Sequence, residues 1–189
     1  MCCALLLATL RDTAISSSLC CREKTADGAT FLQTVQAALR AAAPYDVPVI
    51  VNDRIDIALA AGAHGVHVGQ EDLPCAEVRR LVGSAMIVGV SVKSREQALQ
   101  AARDGADYVG AGAVYATDTK KSSVAIGIEG LQAMVRASPL PVVAIGGIKA
   151  GNARDVATSG CDGIAVVTGI FGADDVAQAC RDLWQNAYG

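Results

Sequence analysis

Short runs rich in Val, Ile and Gly alternate along the chain with Ala-rich stretches of helical period, and a glycine-led pattern recurs three times just ahead of such runs. Together these observations predict an α/β protein made of repeated βα units: a parallel (β/α)8 barrel of the TIM type whose first βα unit is short or incomplete. The 189 residues suffice for one well-buried core and are short for two, so a single barrel domain over 1–189 is expected.

Taken in order, Ala4 to Leu10 and Leu19 to Cys21 are the weaker strand candidates. Val47 to Val51, Gly65 to Val68, Met86 to Val90, Tyr108 to Ala111, Val142 to Ile145 and Gly163 to Val167 read more clearly. They barely alternate between apolar and polar residues, as parallel strands covered on both faces do. Between strands, Phe31, Val35, Ala38, Leu39 and Ala42 mark an amphipathic helix. Ser94 with Gln97 forms a capping box that opens another, and Pro74 suits a helix's first turn.

The repeat is Gly62-Ala63-His64-Gly65-Val66, Gly105-Ala106-Asp107-Tyr108-Val109 and Gly160-Cys161-Asp162-Gly163-Ile164. Each leading glycine can end a helix in the left-handed conformation before the next strand. Right-handed crossovers then leave few topologies, with the closed barrel favoured. The alternative, an open doubly wound sheet, lacks a Gly-x-Gly-x-x-Gly after a first strand. A parallel crossover needs about a dozen residues or more, and Arg11 to Ser18 is shorter. The first βα unit is therefore expected to be damaged, absent or supplied differently.

Composition narrows the function classes. The chain is 52% hydrophobic but only 4% aromatic, so its core must be aliphatic. A net charge of −3 and a pI near 5.3 give no broad basic surface, which argues against a nucleic-acid partner. No apolar run approaches the roughly 20 residues of a membrane span, and Ala4 to Leu10 lacks a basic flank and a cleavage site, so a cytoplasmic protein is expected. The seven cysteines are odd in number and lack metal-knuckle spacing, which points to idle reduced thiols.

In parallel barrels the active site forms at the C-terminal ends of the strands, so the residues that follow each strand are the candidates. Asp53 and Asp72 end neighbouring strands and offer hard oxygens suited to Mg²⁺, which completes its shell with water and phosphate. Arg22, Lys24 and Lys120 supply the positive charge that a diphosphate needs. The plainer alternative makes both aspartates helix N-caps and the basic residues solvated. Gly146-Gly147 and Val167-Thr168-Gly169 follow strands seven and eight, where barrels gather backbone N–H groups around a phosphate. His64 falls at the wrong end for catalysis, and His67 is expected to pack rather than react. No Ser/His/Asp or Cys/His set is apparent, so acyl chemistry has no support.

The motifs CCREK, VNDRIDIALAAGAHGVHVGQEDLP, IVGVS, DYVGAGAVYATDTKK, VVAIGGI and GIAVVTGIF stand in this order between about Leu19 and Phe171. With them the chain resembles the thiamine-phosphate synthase family. The resemblance implies a (β/α)8 barrel and a Mg²⁺-dependent transferase, a thiamine-phosphate diphosphorylase of thiamine biosynthesis. Such an enzyme joins 4-amino-5-hydroxymethyl-2-methylpyrimidine diphosphate to a thiazole phosphate by a dissociative route, giving thiamine phosphate and diphosphate. It implies further that Arg22, Lys24, Asn52, Ser91 and Lys120 hold the pyrimidine diphosphate, with Glu23 among the substrate contacts. Arg22, Lys24, Ser91 and Lys120 would carry the catalysis, and Asp53 and Asp72 the Mg²⁺. Thr117, Asp118, Thr119, Gly147, Val167 and Thr168 would take the thiazole phosphate.

Two departures stand out: Cys20 occupies the place where the family usually has Gln, and the leading residues match poorly. They raise the alternative of a catalytically weak binding or assembly subunit. A thiazole phosphate tautomerase, which shares the fold and the phosphate cradle, is a second enzyme alternative. Small-molecule substrates are the expected partners, with a homo-oligomer or a fusion to another thiamine-pathway enzyme as the further possibilities.

Overall fold

The structure, a computed structural model, describes residues 2–8, 17–117 and 124–189. Its strands are β1 (Cys2–Ala8), β2 (Ser17–Arg22), β3 (Val49–Asn52), β4 (Gly65–Val68), β5 (Ile87–Val92), β6 (Tyr108–Ala111), β7 (Val142–Ile145) and β8 (Gly163–Val166). From β2 to β8 each strand pairs parallel with the next, seven strands in sequence order. The helices that link or follow them are α1 (Gly28–Ala42), α2 (Ile55–Ala61), α3 (Cys75–Val82), α4 (Arg95–Arg103), α5 (Gly127–Ala137), α6 (Ala153–Ala157), α7 (Thr168–Phe171) and α8 (Val176–Tyr188). Among the described residues no helix is long and apolar enough to cross a membrane.

The first strand corrects the expectation of eight parallel strands. β1 pairs antiparallel with both β2 and β8 and closes the ring between them. Only residues 9–16 connect β1 to β2, too few for the crossover of about a dozen residues that a parallel neighbour demands. β1 begins two residues earlier than Ala4, and the expected residues 9–10 lie outside the described ones; β5 runs on through Ser91 to Val92 rather than stopping at Val90.

Alternation along the strands sorts their side chains into two layers. Outward-facing Val51, Val66, Val68, Val88, Val90, Val109, Ala144 and Ile164 are buried beneath the helices, joined there by Phe31 and Val35 of α1, Leu131 of α5 and Leu183 of α8. A second, smaller cluster of Tyr108, Val143 and Ala165 fills the interior of the ring. The core is aliphatic, as the composition requires. Cys75 belongs to it, and burial pushes its thiol up to about 11, an inert core group.

The repeat has a structural role. Gly62, Gly105 and Gly160 all adopt positive φ, turning the chain from a helix into the next strand. Two residues on, a side chain then accepts a hydrogen bond from the start of the preceding strand. His64 Nδ1 takes Val49 N at 3.0 Å, Asp107 Oδ2 takes Val88 N at 2.7 Å and Asp162 Oδ2 takes Val142 N at 2.9 Å. Each unit is thereby clamped to the one before it at the N-terminal end of the sheet, which also accounts for His64.

Capping departs from expectation in detail. Ser94 accepts from Gln97 N at 3.3 Å as foreseen, but the Gln97 carbonyl reaches Lys93 N at 2.7 Å rather than the cap residue. Pro74 stands at the cap of α3 and Arg54 at the cap of α2, neither with a side-chain cap bond. Neither Asp53 nor Asp72 caps a helix, so the plainer reading of the two aspartates falls away.

Candidate active site

A cavity of about 310 Å³ opens at the C-terminal ends of the parallel strands. The parallel strands deliver residues into it, because successive inward-pointing positions leave the ring there. Arg22 ends β2 and Lys24 follows it, Asn52 ends β3 and Asp53 follows it, and Gly69 to Asp72 follow β4. Ser91 lies within β5, Thr117 comes from the loop after β6, Gly147 follows β7, and Val167 and Thr168 follow β8. The predicted residues Asp118, Thr119 and Lys120 lie outside the described residues.

At one side of the cavity three charged groups converge. Lys24 Nζ donates to Asp53 Oδ2 in an ion pair. Burial raises the Asp53 pKa; the Lys24 ammonium opposes that rise, and the adjacent Asp72 carboxyl adds to it. Asp53 holds a φ of 66°, a left-handed conformation that aspartate tolerates better than most residues, and its N–H donates to His67 O at 2.9 Å. Asp72 Oδ2 accepts from Gly69 N at 2.7 Å, which ties its carboxylate over the end of β4. Two carboxylates brought together beside the Lys24 ammonium offer the hard oxygen donors a divalent cation such as Mg²⁺ takes, one or two carboxylates with water and phosphate oxygens completing its shell. Among the described residues no group of three or more His, Cys, Asp or Glu could hold a metal through protein ligands alone.

Glu23 does not line the cavity. Its Oε1 instead accepts from Lys24 N at 2.7 Å, Thr25 N at 2.8 Å and Thr25 Oγ1 at 3.0 Å, and these bonds, the Thr25 amide first, hold its pKa down to about 2. The carboxylate shapes the loop that presents Lys24.

On the opposite side, Gly146 and Gly147 let the loop after β6 lie across the end of β7. A Cβ at Gly147 would stand 2.7 Å from both Ala116 O and Tyr115 Cβ, and its φ is +68°. Tyr115 N donates to Gly146 O at 3.0 Å to seal that contact.

Sequence reasoning missed His67 and Tyr108. His67 lines the cavity rather than the outer core, with Nε2 2.9 Å from Ser91 Oγ and Nδ1 2.9 Å from Tyr108 Oη. Gln70 also reaches in, donating from Nε2 to Ser91 O at 2.7 Å. The missed signal was parity: His67 sits between outward-facing Val66 and Val68, which forces it inward. Cys20, flanked at the same parity by Ser18 and Arg22, lines the cavity too.

A family model described as thiamine monophosphate synthase matches residues 5–170. The chain belongs to the thiamine monophosphate synthase family. It is 48% identical over 162 residues to the thiamine-phosphate synthase of Ruminiclostridium cellulolyticum, covering 86% of this chain and 77% of that one. The thiamine phosphate pyrophosphorylase of Pyrococcus furiosus shares its fold with a TM-score of 0.83 at 40% identity, over 89% of this chain and 81% of that structure. A third relative, the chloroplastic thiamine biosynthetic bifunctional enzyme of Arabidopsis thaliana, is 46% identical over 165 residues, which span 86% of this chain and 32% of that enzyme. Membership of the thiamine monophosphate synthase family favours the synthase expectation over the tautomerase one, because these relatives carry the synthase name or that of a bifunctional thiamine-pathway enzyme. Bifunctional thiamine biosynthetic enzymes are thus found among its relatives, the arrangement raised as a possibility from the sequence.

Proposed function

We propose that the protein is a Mg²⁺-dependent thiamine-phosphate synthase, joining 4-amino-5-hydroxymethyl-2-methylpyrimidine diphosphate to a thiazole phosphate. The observation that carries this reading is the meeting of Asp53, Asp72 and Lys24 in one cavity with Arg22, in a chain of that family.

Asp53 and Asp72 would hold Mg²⁺, which when bound would neutralise the charge of the leaving diphosphate. Arg22 and Lys24 grip the same diphosphate, the guanidinium by paired donors and the ammonium as a point charge. Lys24 is half-exposed and flexible enough to move from Asp53 to a phosphate oxygen once the aspartate has another cation to face. Asn52 and Ser91 orient the pyrimidine. Thr117, Gly147, Val167 and Thr168 line the other side of the cavity and take the thiazole phosphate, so the two substrates face each other across it.

The reaction breaks the bond between the pyrimidine's methylene carbon and the diphosphate oxygen, with the electron pair leaving on the diphosphate. The thiazole nitrogen's lone pair then forms the new carbon–nitrogen bond. No protein nucleophile is needed in this route. The chain contributes positioning and preorganised charge around the leaving group.

The test is to incubate pure protein with both substrates and Mg²⁺ and to assay thiamine phosphate and released diphosphate in equal amounts. A folded protein that yields neither would overturn the reading.

A further inference from the structure

The interior of the ring holds a hydrogen-bonded chain of three side chains: Tyr108 Oη, the His67 ring and Ser91 Oγ, each contact 2.9 Å. Two glycines make room for it. A Cβ at Gly89 would stand 2.2 Å from Tyr108 Cζ, and one at Gly110 would stand 3.1 Å from His67 Cε1. The strand register puts these residues in two adjacent rows, with His67 beside Gly89 beside Tyr108, and Ser91 beside Gly110.

The direction of the chain follows from its buried end. Tyr108 is only 7% exposed and burial pushes its phenol well above the usual tyrosine range, so it keeps its proton. Among the described residues its hydroxyl has one partner, His67 Nδ1. A buried hydroxyl that merely accepted would leave its own proton unpaired at a cost comparable to a lost hydrogen bond. Tyr108 therefore donates, Nδ1 accepts, and the neutral His67 ring carries its proton on Nε2 and donates it to Ser91 Oγ. Ser91 Oγ, having accepted from the ring, keeps its own proton for an acceptor in the cavity.

We propose that Tyr108 and His67 are positioning residues that make Ser91 a hydrogen-bond donor, aimed at an acceptor atom of the bound pyrimidine diphosphate. The proposal rests on the synthase reading for the identity of that ligand and on the ring geometry for the direction. With the opposite tautomer Ser91 would spend its proton on His67 and could only accept, so the buried tyrosine selects which substrates the serine can hold.

The test combines a spectrum with kinetics. The protein has two histidines, so nitrogen-15 NMR of histidine-labelled protein resolves both rings, and a His67→Gln variant identifies the His64 signals. At a pH of about 8.5, above the ordinary imidazole value of about 6.5, the wild-type His67 ring is expected to bear its proton on Nε2. Ser91→Ala should leave that tautomer in place, while Tyr108→Phe should give a mixture. In steady-state assays Ser91→Ala and Tyr108→Phe should each lower kcat/KM by about tenfold, and the double variant should lose no more than either alone. A proton on Nδ1 in the wild type, or additive losses in the double variant, overturns the proposal. If Tyr108→Phe does not fold, the wild-type and Ser91→Ala spectra still decide. An Nε2-protonated ring in a protein that makes no thiamine phosphate would overturn the synthase reading and leave the relay standing.

Discussion

His67 and Tyr108 belong to strands that do not pair with each other, β4 and β6, yet their side chains meet at 2.9 Å across β5. The position between them is Gly89, paired with His67 on one side and Tyr108 on the other. Gly89→Ala should break this contact, since the new Cβ would fall 2.2 Å from the Tyr108 ring, which is closed in by Val143 and Ala165. Stability should drop by about 2 kcal/mol or more, the cost of overpacking a filled interior. Urea unfolding measures that loss, and kcat/KM should fall with it.

At the proposed cation site, Asp53 is expected to set an acid limit on binding. Burial and the neighbouring Asp72 raise its pKa above the ordinary 3.8, despite Lys24. A protonated Asp53 can neither pair with Lys24 nor ligate a cation, so Mg²⁺ affinity should weaken as pH falls through this raised value, sooner than for an ordinary aspartate. Stability has the opposite sign: the folded protein holds this proton more tightly than the unfolded chain, so the contribution favours folding below the unfolded value and is lost as pH rises through the folded one. Calorimetric titration of Mg²⁺ between pH 4 and 7 checks the first statement. Asp53→Asn should flatten the curve.

Asp162→Ala tests the clamp at the other end of the sheet. It removes the acceptor of Val142 N, 2.9 Å away, far from the cavity. The expected result is a loss of about 1–2 kcal/mol from an unpaired strand amide, read as a lower melting temperature, with KM for both substrates unchanged.

Much of this architecture was legible in the chain because local signals agreed. The repeat at Gly62, Gly105 and Gly160 marks helix ends that the structure confirms by their positive φ. Residues such as Asp53 and Asp72 follow strands rich in Val, so their approach to one cavity could be read from topology alone. The contents of the ring were not legible. Both faces of these strands are buried, so the inward face differs from the outward one by size rather than polarity: Gly89 and Ser91 point in, while Val88, Val90 and Val92 point out. A histidine among valines then reads as core. The direction of β1 was illegible for another reason. Its apolar run suits either orientation, and only the shortness of Arg11 to Ser18 signalled that the first unit departs from the parallel pattern.

Asp72→Asn separates charge from shape at the proposed cation site. The amide oxygen can still accept from Gly69 N, the 2.7 Å contact that holds the side chain over β4, so the loop should keep its course. What disappears is the negative charge that helps to raise the Asp53 pKa. Removing that repulsion should leave the melting temperature equal to the wild type or slightly higher, the usual relation when a functional site holds like charges together. Mg²⁺ should then face a single carboxylate, and turnover should fall by about a hundredfold or more, as when a group that stabilises developing charge is lost. Thermal unfolding and an Mg²⁺ titration of the rate, run on the same preparation, check both expectations. Wild-type rates from a stable Asp72→Asn protein would take Asp72 out of the site and leave Asp53 and Lys24 as a simple ion pair.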